Sequence, residues 1–212
     1  MSPTRVFIVD DHEVVREGLR TVLKKDPAMS IVGMSEDTVD LVKKLKKAQA
    51  DVVILDISMP NRSGLDALKD LRQLYPKTRV LILSMHPEER FAVRAFRAGA
   101  SGYLNKQTAG EELIKAIQRI KSDRKYVSAG LAEQLAEELD HKSSSQLHTD
   151  LSDREFDVMR LIAMGEAASD IAKKLHLSVN TVSTYRTRIL EKMRVKTTAE
   201  LTRYALEHRL ID

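Results

Sequence analysis

Over roughly the first 120 residues the chain alternates five short β-branched runs with five longer amphipathic stretches, and after about residue 151 the β pattern stops. Such alternation is the mark of βα units wound around a parallel sheet. The strand-like runs are Arg5 to Val9, Ile31 to Met34, Val52 to Leu55, Val80 to Leu83 and Gly102 to Leu104. The helical stretches are Glu13 to Lys24, Thr38 to Ala48, Leu65 to Leu74, Pro87 to Ala98 and Ala109 to Ile120. Thr108, with Glu111 three residues on, has the form of a capping box for the last of them. Five βα units predict an α/β doubly wound, five-stranded parallel sheet of flavodoxin-like type, with its site beyond the carboxyl ends of the strands.

Beyond that sheet, Ser128 to Leu139 reads as a short helix, and Asp140 to Asp150 as a polar linker without apolar periodicity. Only helices follow: Asp153 to Met164, Ala168 to Leu175, Val179 to Met193 and Thr198 to His208. Ser152/Glu155 and Thr197/Glu200 have capping-box spacing. The 212 residues thus divide into an α/β domain over 1–125, a helix and linker over 126–150, and an all-α four-helix domain over 151–212.

Composition removes several classes of function. The chain has no cysteine, which excludes disulfides, thiolate metal sites and a cysteine nucleophile. No apolar run approaches the roughly 18 residues that span a bilayer, and Met1 to Arg5 leads into a strand without a signal-like segment. The expectation is a cytoplasmic protein without a membrane partner. A formal charge of +4 points only weakly to nucleic acid. Its distribution says more: Lys173 to Lys196 holds seven basic residues against one acid, a local +6, whereas Leu151 to Ala172 carries −3.

Three acids stand where the chain leaves strand ends: Asp10 and Asp11 after the first, and Asp56 after the apolar Val52 to Leu55. The first and third strands are neighbours in this fold, so the carboxylates converge at one sheet edge. Converging carboxylates either raise one another's pKa or hold a hard cation, and oxygen ligands with room for waters and a phosphate suit Mg²⁺. Ser84 after the fourth strand and Lys106 after the fifth add a hydroxyl and an ammonium to the rim. Metal, lysine and hydroxyl together neutralise a transferring phosphoryl group.

This set, with Tyr103, resembles the receiver domain of two-component response regulators over residues 1–125. The resemblance implies that Asp56 accepts a phosphoryl group from the phosphohistidine of a sensor histidine kinase. It implies Mg²⁺ ligation by Asp11 directly, Asp10 largely through water, Asp56, and the backbone carbonyl of Ser58. Ser84 would bind a phosphoryl oxygen, Lys106 would pair with it, and Tyr103 would be the aromatic switch that turns inward. Ser58 and His86 would line the route of a hydrolytic water. Many receivers have proline after the lysine, where this chain has Gln107.

In the helical domain, a short helix, the turn His176-Leu177-Ser178 and a basic third helix form a helix-turn-helix pattern. Ser178 is placed to cap Val179 to Met193. On that helix Val182, Ile189 and Met193 make an inward stripe, with Asn180, Thr184, Thr187 and Glu191 opposite and Ser183 and Arg188 flanking. Short polar side chains suit a major groove, and Arg186, Arg188 and Lys192 suit phosphates. The runs LSDRE, IAKKL, LSVNTVSTYRTRILEKM and TTAEL resemble the LuxR-type helix-turn-helix of the NarL/FixJ response regulators over residues 148–212. That resemblance adds Thr181 and Tyr185 to the DNA-facing set, marks Ser183, Thr184 and Thr187 as base contacts, and assigns Thr198 to Leu210 to dimerisation.

Together these readings predict a transcriptional response regulator, phosphorylated at Asp56 with Mg²⁺ and binding two-fold double-stranded DNA sites as a homodimer. It would be no enzyme beyond catalysing its own phosphoryl transfer and slow hydrolysis. Two other readings compete: a DNA-binding regulator whose degenerate receiver ignores phosphate, and an aspartyl-phosphate phosphohydrolase. The latter class often carries a second acid two residues after the nucleophile, where this chain has Ser58.

Overall fold

A computed structural model describes residues 2–59, 64–85, 88–128, 131–132, 147–208 and 210–211. The chain forms two compact units, residues 1–138 and 139–212. In the first, β1 (Thr4–Val9), α1 (Glu13–Leu23), β2 (Met29–Ser35), α2 (Leu41–Ala48), β3 (Val52–Asp56), α3 (Gly64–Leu74), β4 (Arg79–Ser84), α4 (Glu88–Arg97), β5 (Gly102–Asn105) and α5 (Ala109–Lys121) alternate along the chain. The strands are all parallel, in the order β2-β1-β3-β4-β5. This is the expected doubly wound, flavodoxin-like sheet.

Because strand side chains alternate between faces, each central strand supplies two cores. On one face Val6, Ile8, Val52, Ile54, Leu81 and Leu83 pack with Leu19 and Leu23 of α1 and with Leu113, Ile117 and Ile120 of α5. Phe7, Val9, Val53, Leu55, Ile82 and Tyr103, the alternate residues, are buried on the other face. Apolar runs unbroken by polar residues are what a strand covered on both sides requires.

Two starts differ from expectation. Helix α2 begins at Leu41 rather than Thr38, because Asp40 stands in the left-handed region at φ 55° and holds the preceding residues in a turn. The capping box at Thr108 does not form: Thr108 has near-helical angles and makes no side-chain cap bond. Instead its hydroxyl donates to the Asn105 carbonyl, and the Asn105 Oδ1 accepts the Gln107 N–H at 2.8 Å. The turn after β5 therefore organises the start of α5 in place of a cap.

The second unit holds a 3₁₀ turn (Leu147–Asp150), α6 (Asp153–Ala163), α7 (Ala168–Lys174), α8 (Val179–Lys192) and α9 (Thr198–Glu207). Both expected capping boxes, Ser152/Glu155 and Thr197/Glu200, are complete. Phe156, Met159, Ile171, Val182, Ile189, Met193 and Leu201 form the buried apolar interior. The sequence expectation of an unstructured linker through Asp150 is corrected at its end. There His148 joins a ring cluster, its Nδ1 3.0 Å from the Tyr204 hydroxyl. Most of the expected helix Ser128 to Leu139, with residues 140–146, lies outside the described residues; Leu131 and Ala132 are helical.

Candidate functional site

Strand register brings the acids together. Val9 of β1 lies beside Leu55 of β3, so Asp10 and Asp56, each one residue further on, leave the sheet at the same level. Ser84 pairs with Asn105 across β4 and β5, and the Lys106 N–H donates to the Ser84 carbonyl at 2.8 Å, which carries the rim on to the lysine. Lys106 Nζ reaches inward to within 2.7 Å of Asp10 Oδ2 and 2.9 Å of Asp56 Oδ2. Asp10 and Asp56 are each only 1% exposed, so two carboxylates share one ammonium in a nearly dry site. Asp11 is half-buried beside them.

Burial dominates the electrostatics of Asp56. It lifts the carboxyl above the ordinary aspartate range, and Asp10 adds to the rise, while Lys106 and the Ser58 N–H pull the other way. For Lys106 burial disfavours the charge, yet the attraction of Asp56 and Asp10 outweighs it and the ammonium is held more firmly than usual. The Ser58 N–H donates to Asp56 Oδ1 at 3.2 Å, leaving the Ser58 side chain exposed. Gly64, at the start of α3, is fitted against the Asp56 backbone: a Cβ there would lie 1.9 Å from its carbonyl oxygen.

Ser84 and Tyr103 are both fully buried. Tyr103 stands beside Ile82 on the sheet face away from α1 and α5 and occupies an inward position. Gln107 uses its backbone N–H in the turn with Asn105, a bond proline could not make. His86 lies outside the described residues.

The carboxylates fit a divalent cation on this structure's own evidence. Ligand-type atoms of Asp10, Asp11, His12 and Asp56 all lie within 4.8 Å of one another. Asp11 Oδ1 is a buried oxygen that accepts no hydrogen bond among the described residues, and Asp10 Oδ2 beside it is met by the Lys106 ammonium at 2.7 Å. A hard anionic oxygen that accepts no hydrogen bond, in a cluster of carboxylates, is what such an ion would satisfy. His12 was not singled out by the sequence reading, although the run Asp10-Asp11-His12 was the available signal. Also new is Arg16, whose Nη1 donates to the Asp10 carbonyl at 2.7 Å and braces the loop.

On α8 the inward stripe Val182, Ile189 and Met193 is buried, and Asn180, Ser183, Thr184, Arg186, Thr187 and Arg188 are exposed. Ser178 caps the helix, its Oγ accepting the Thr181 N–H at 3.0 Å and lying 2.7 Å from the Thr181 hydroxyl. Ser183, Thr184 and Thr187 donate to carbonyls four residues back, which turns their oxygen lone pairs outward as acceptors. Tyr185 is half-buried. Arg186 Nη2 donates to the Thr198 hydroxyl at 3.1 Å. Lys192, assigned to phosphate from the sequence, is already paired: its Nζ lies 2.6 Å from Oε2 of Glu155, whose side chain is 6% exposed. The same carboxylate accepts the Ser152 N–H at 2.7 Å, so the α6 cap and the end of α8 are joined through one buried group. The LSDRE run revealed the cap and not this partner, because Lys192 lies 37 residues away.

Among the described residues no helix is long and apolar enough to cross a membrane. Family models match the chain twice: the response regulator receiver domain over residues 6–118, and the bacterial regulatory proteins of the luxR family over 149–205. The response regulator UvrY of Escherichia coli strain K12 is 33% identical over 208 residues, covering 98% of this chain and 95% of its own length. The oxygen regulatory protein NreC of Staphylococcus haemolyticus is 36% identical over 215 residues, covering 98% and 99%. Among solved structures, the RcsB response regulator of Salmonella typhimurium matches with a TM-score of 0.68 at 27% identity, covering 98% of this chain and 99% of that one. An RcsB–DNA complex matches with a TM-score of 0.60 at 27% identity, covering 97% and 98%. The chain therefore belongs to the two-component response regulators of the NarL/FixJ family, a receiver joined to a LuxR-type helix-turn-helix that binds DNA.

Proposed function

We propose that Asp56 is the phospho-acceptor, taking a phosphoryl group from the phosphohistidine of a sensor histidine kinase. The observation that carries this reading is the Asp56 carboxylate: 1% exposed at the end of β3, 2.9 Å from the Lys106 ammonium and grouped with Asp10 and Asp11. Asp10, Asp11, Asp56 and the Ser58 carbonyl would hold Mg²⁺, which when bound supplies positive charge to the phosphoryl oxygens. Lys106 neutralises a second part of that charge, and the Ser84 hydroxyl donates to a phosphoryl oxygen. The Asp56 oxygen bonds to phosphorus as the phosphorus–nitrogen bond to the kinase histidine breaks, so the receiver catalyses its own modification. A new dianion beside Ser84 and Lys106 redistributes their hydrogen bonds, and buried Tyr103 follows Ser84 as the switch.

Phosphorylation then promotes a homodimer whose α8 helices enter successive major grooves of a two-fold DNA site in the cytoplasm. Ser183, Thr184 and Thr187 contact bases, with Asn180, Thr181 and Tyr185 beside them on the DNA-facing side, and Arg186 and Arg188 set register on phosphates, while Lys192 stays paired with Glu155. The domain limits 1–125, 126–150 and 151–212 belong to the same proposal. Asp56→Asn is expected to abolish labelling by a small phospho-donor with Mg²⁺. Labelling that survives the substitution overturns the assignment, and an Arg186→Ala/Arg188→Ala protein with full DNA affinity overturns the interface.

A further inference from the structure

We propose that His12 is a further ligand of the carboxylate site, beside Asp10, Asp11, Asp56 and the Ser58 carbonyl, so that the site takes a first-row transition ion such as Mn²⁺ or Ni²⁺ through nitrogen as well as Mg²⁺ through oxygen. The inference rests on the reading that Asp10, Asp11 and Asp56 hold a divalent cation.

The backbone sets the imidazole beside the acids without using it as a helix cap. His12 occupies the N-cap position of α1 with extended angles, φ −87° and ψ 114°, but its side chain makes no cap bond. Its own N–H donates to Asp10 Oδ1 at 2.9 Å, which fixes the residue against the acidic loop. The ring is 65% exposed, reachable from solvent, yet its Nδ1 turns back to lie 2.8 Å from Asp11 Oδ1 and 3.4 Å from Asp10 Oδ1.

Both contacts have ion-pair distances, and at the shorter one Asp11 Oδ1 accepts no hydrogen bond among the described residues. Their spacing is that of neighbouring ligands on one ion. With metal–ligand distances of about 2.1 Å in octahedral geometry, adjacent donor atoms stand about 3 Å apart. The 2.8 and 3.4 Å separations bracket that value.

The chemistry then decides which ions gain. Mg²⁺ prefers oxygen and keeps several waters, so an imidazole adds little to its binding. Manganese, and more so nickel, stand above it in affinity for mixed nitrogen and oxygen sites, and imidazole suits nickel well. A carboxylate-only site discriminates less between these ions than one that also offers the His12 nitrogen.

The test uses the full, untagged chain. Calorimetric titration with Mg²⁺ and Ni²⁺ is run on the parent, His12→Ala and Asp11→Asn proteins. His12→Ala is expected to weaken Ni²⁺ binding at the carboxylate site about tenfold or more and to change Mg²⁺ binding less than about twofold. Pulsed electron paramagnetic resonance of the Mn²⁺-loaded parent is expected to show modulation from a directly bound ¹⁴N, absent in His12→Ala. Equal effects of His12→Ala on both ions, or nitrogen modulation missing in the parent or retained in the variant, overturn the histidine assignment. If Asp11→Asn leaves Mg²⁺ binding intact, the carboxylate reading itself falls; if only His12→Ala is without effect, that reading stands and this inference fails.

Discussion

Replacing Lys106 with methionine isolates the charge at the centre of the receiver rim. Methionine keeps most of the stem and deletes the ammonium that lies 2.7 Å from Asp10 and 2.9 Å from Asp56, each 1% exposed. Removing one partner of a buried ion pair costs about 3–5 kcal/mol when the remaining charge stays ionised. Here the remaining charge has a way out. Burial already holds the Asp56 carboxyl above the ordinary range against the pull of Lys106, so losing that pull raises it further and favours a proton. A folded-state pKa above the unfolded one gives stability that is complete below the unfolded value and disappears as pH rises through the folded value. The variant should therefore lose about 3 kcal/mol relative to the parent near pH 8 and distinctly less near pH 5. Each tenfold change in proton affinity is worth about 1.4 kcal/mol of that difference. Hydrogen exchange at the β1, β3 and β5 amides, measured with chelator present, reads the stability of this unit directly. Equal destabilisation at both pH values, or none near pH 8, would refute the argument that the ammonium holds two ionised carboxylates in place.

Gly64→Ala should cost about 1–3 kcal/mol and slow phosphoryl labelling, because a Cβ lands 1.9 Å from the Asp56 carbonyl and pushes α3 off the acceptor strand. Unchanged labelling and exchange would contradict that packing. Ser178→Ala removes the α8 cap and should cost about 1 kcal/mol, seen as faster exchange in the first turn of α8 and weaker DNA binding. Glu155→Gln should cost about 1–2 kcal/mol at neutral pH and flatten the acid sensitivity of the helical unit. Burial pushes the Glu155 carboxyl up, but Lys192 and Ser152 outweigh it and the net shift is downward. Its stabilisation is thus present above the ordinary glutamate pKa and lost as pH falls through the lowered value. An acid limb identical to the parent's would count against the pair.

The strand and helix positions were legible because each central strand is buried on both faces and reads as an unbroken apolar run, while the helices between carry one apolar stripe. Asp56 was legible for the same reason, being a charge immediately after four apolar strand residues. The third residue of the Asp10-Asp11-His12 run was passed over, since local sequence does not show which way an imidazole turns at a helix start. Thr108 illustrates the opposite error: its spacing to Glu111 matches a capping box, yet the turn built by Asn105 and Gln107 satisfies the backbone first.

What the sequence determined by itself is the local and periodic content: two domains of different class, the acids at strand ends, the inward stripe of α8, and its cap. What the tertiary structure decided is every pairing across long chain distance. Lys106 meets Asp56 across 50 residues, and Lys192 meets Glu155 across 37, turning an expected DNA contact into a brace between α6 and α8. The reason is physical. Periodicity reports which face of an element is dry, whereas the partner of a buried charge depends on strand order, register and helix packing, which only the folded chain brings together.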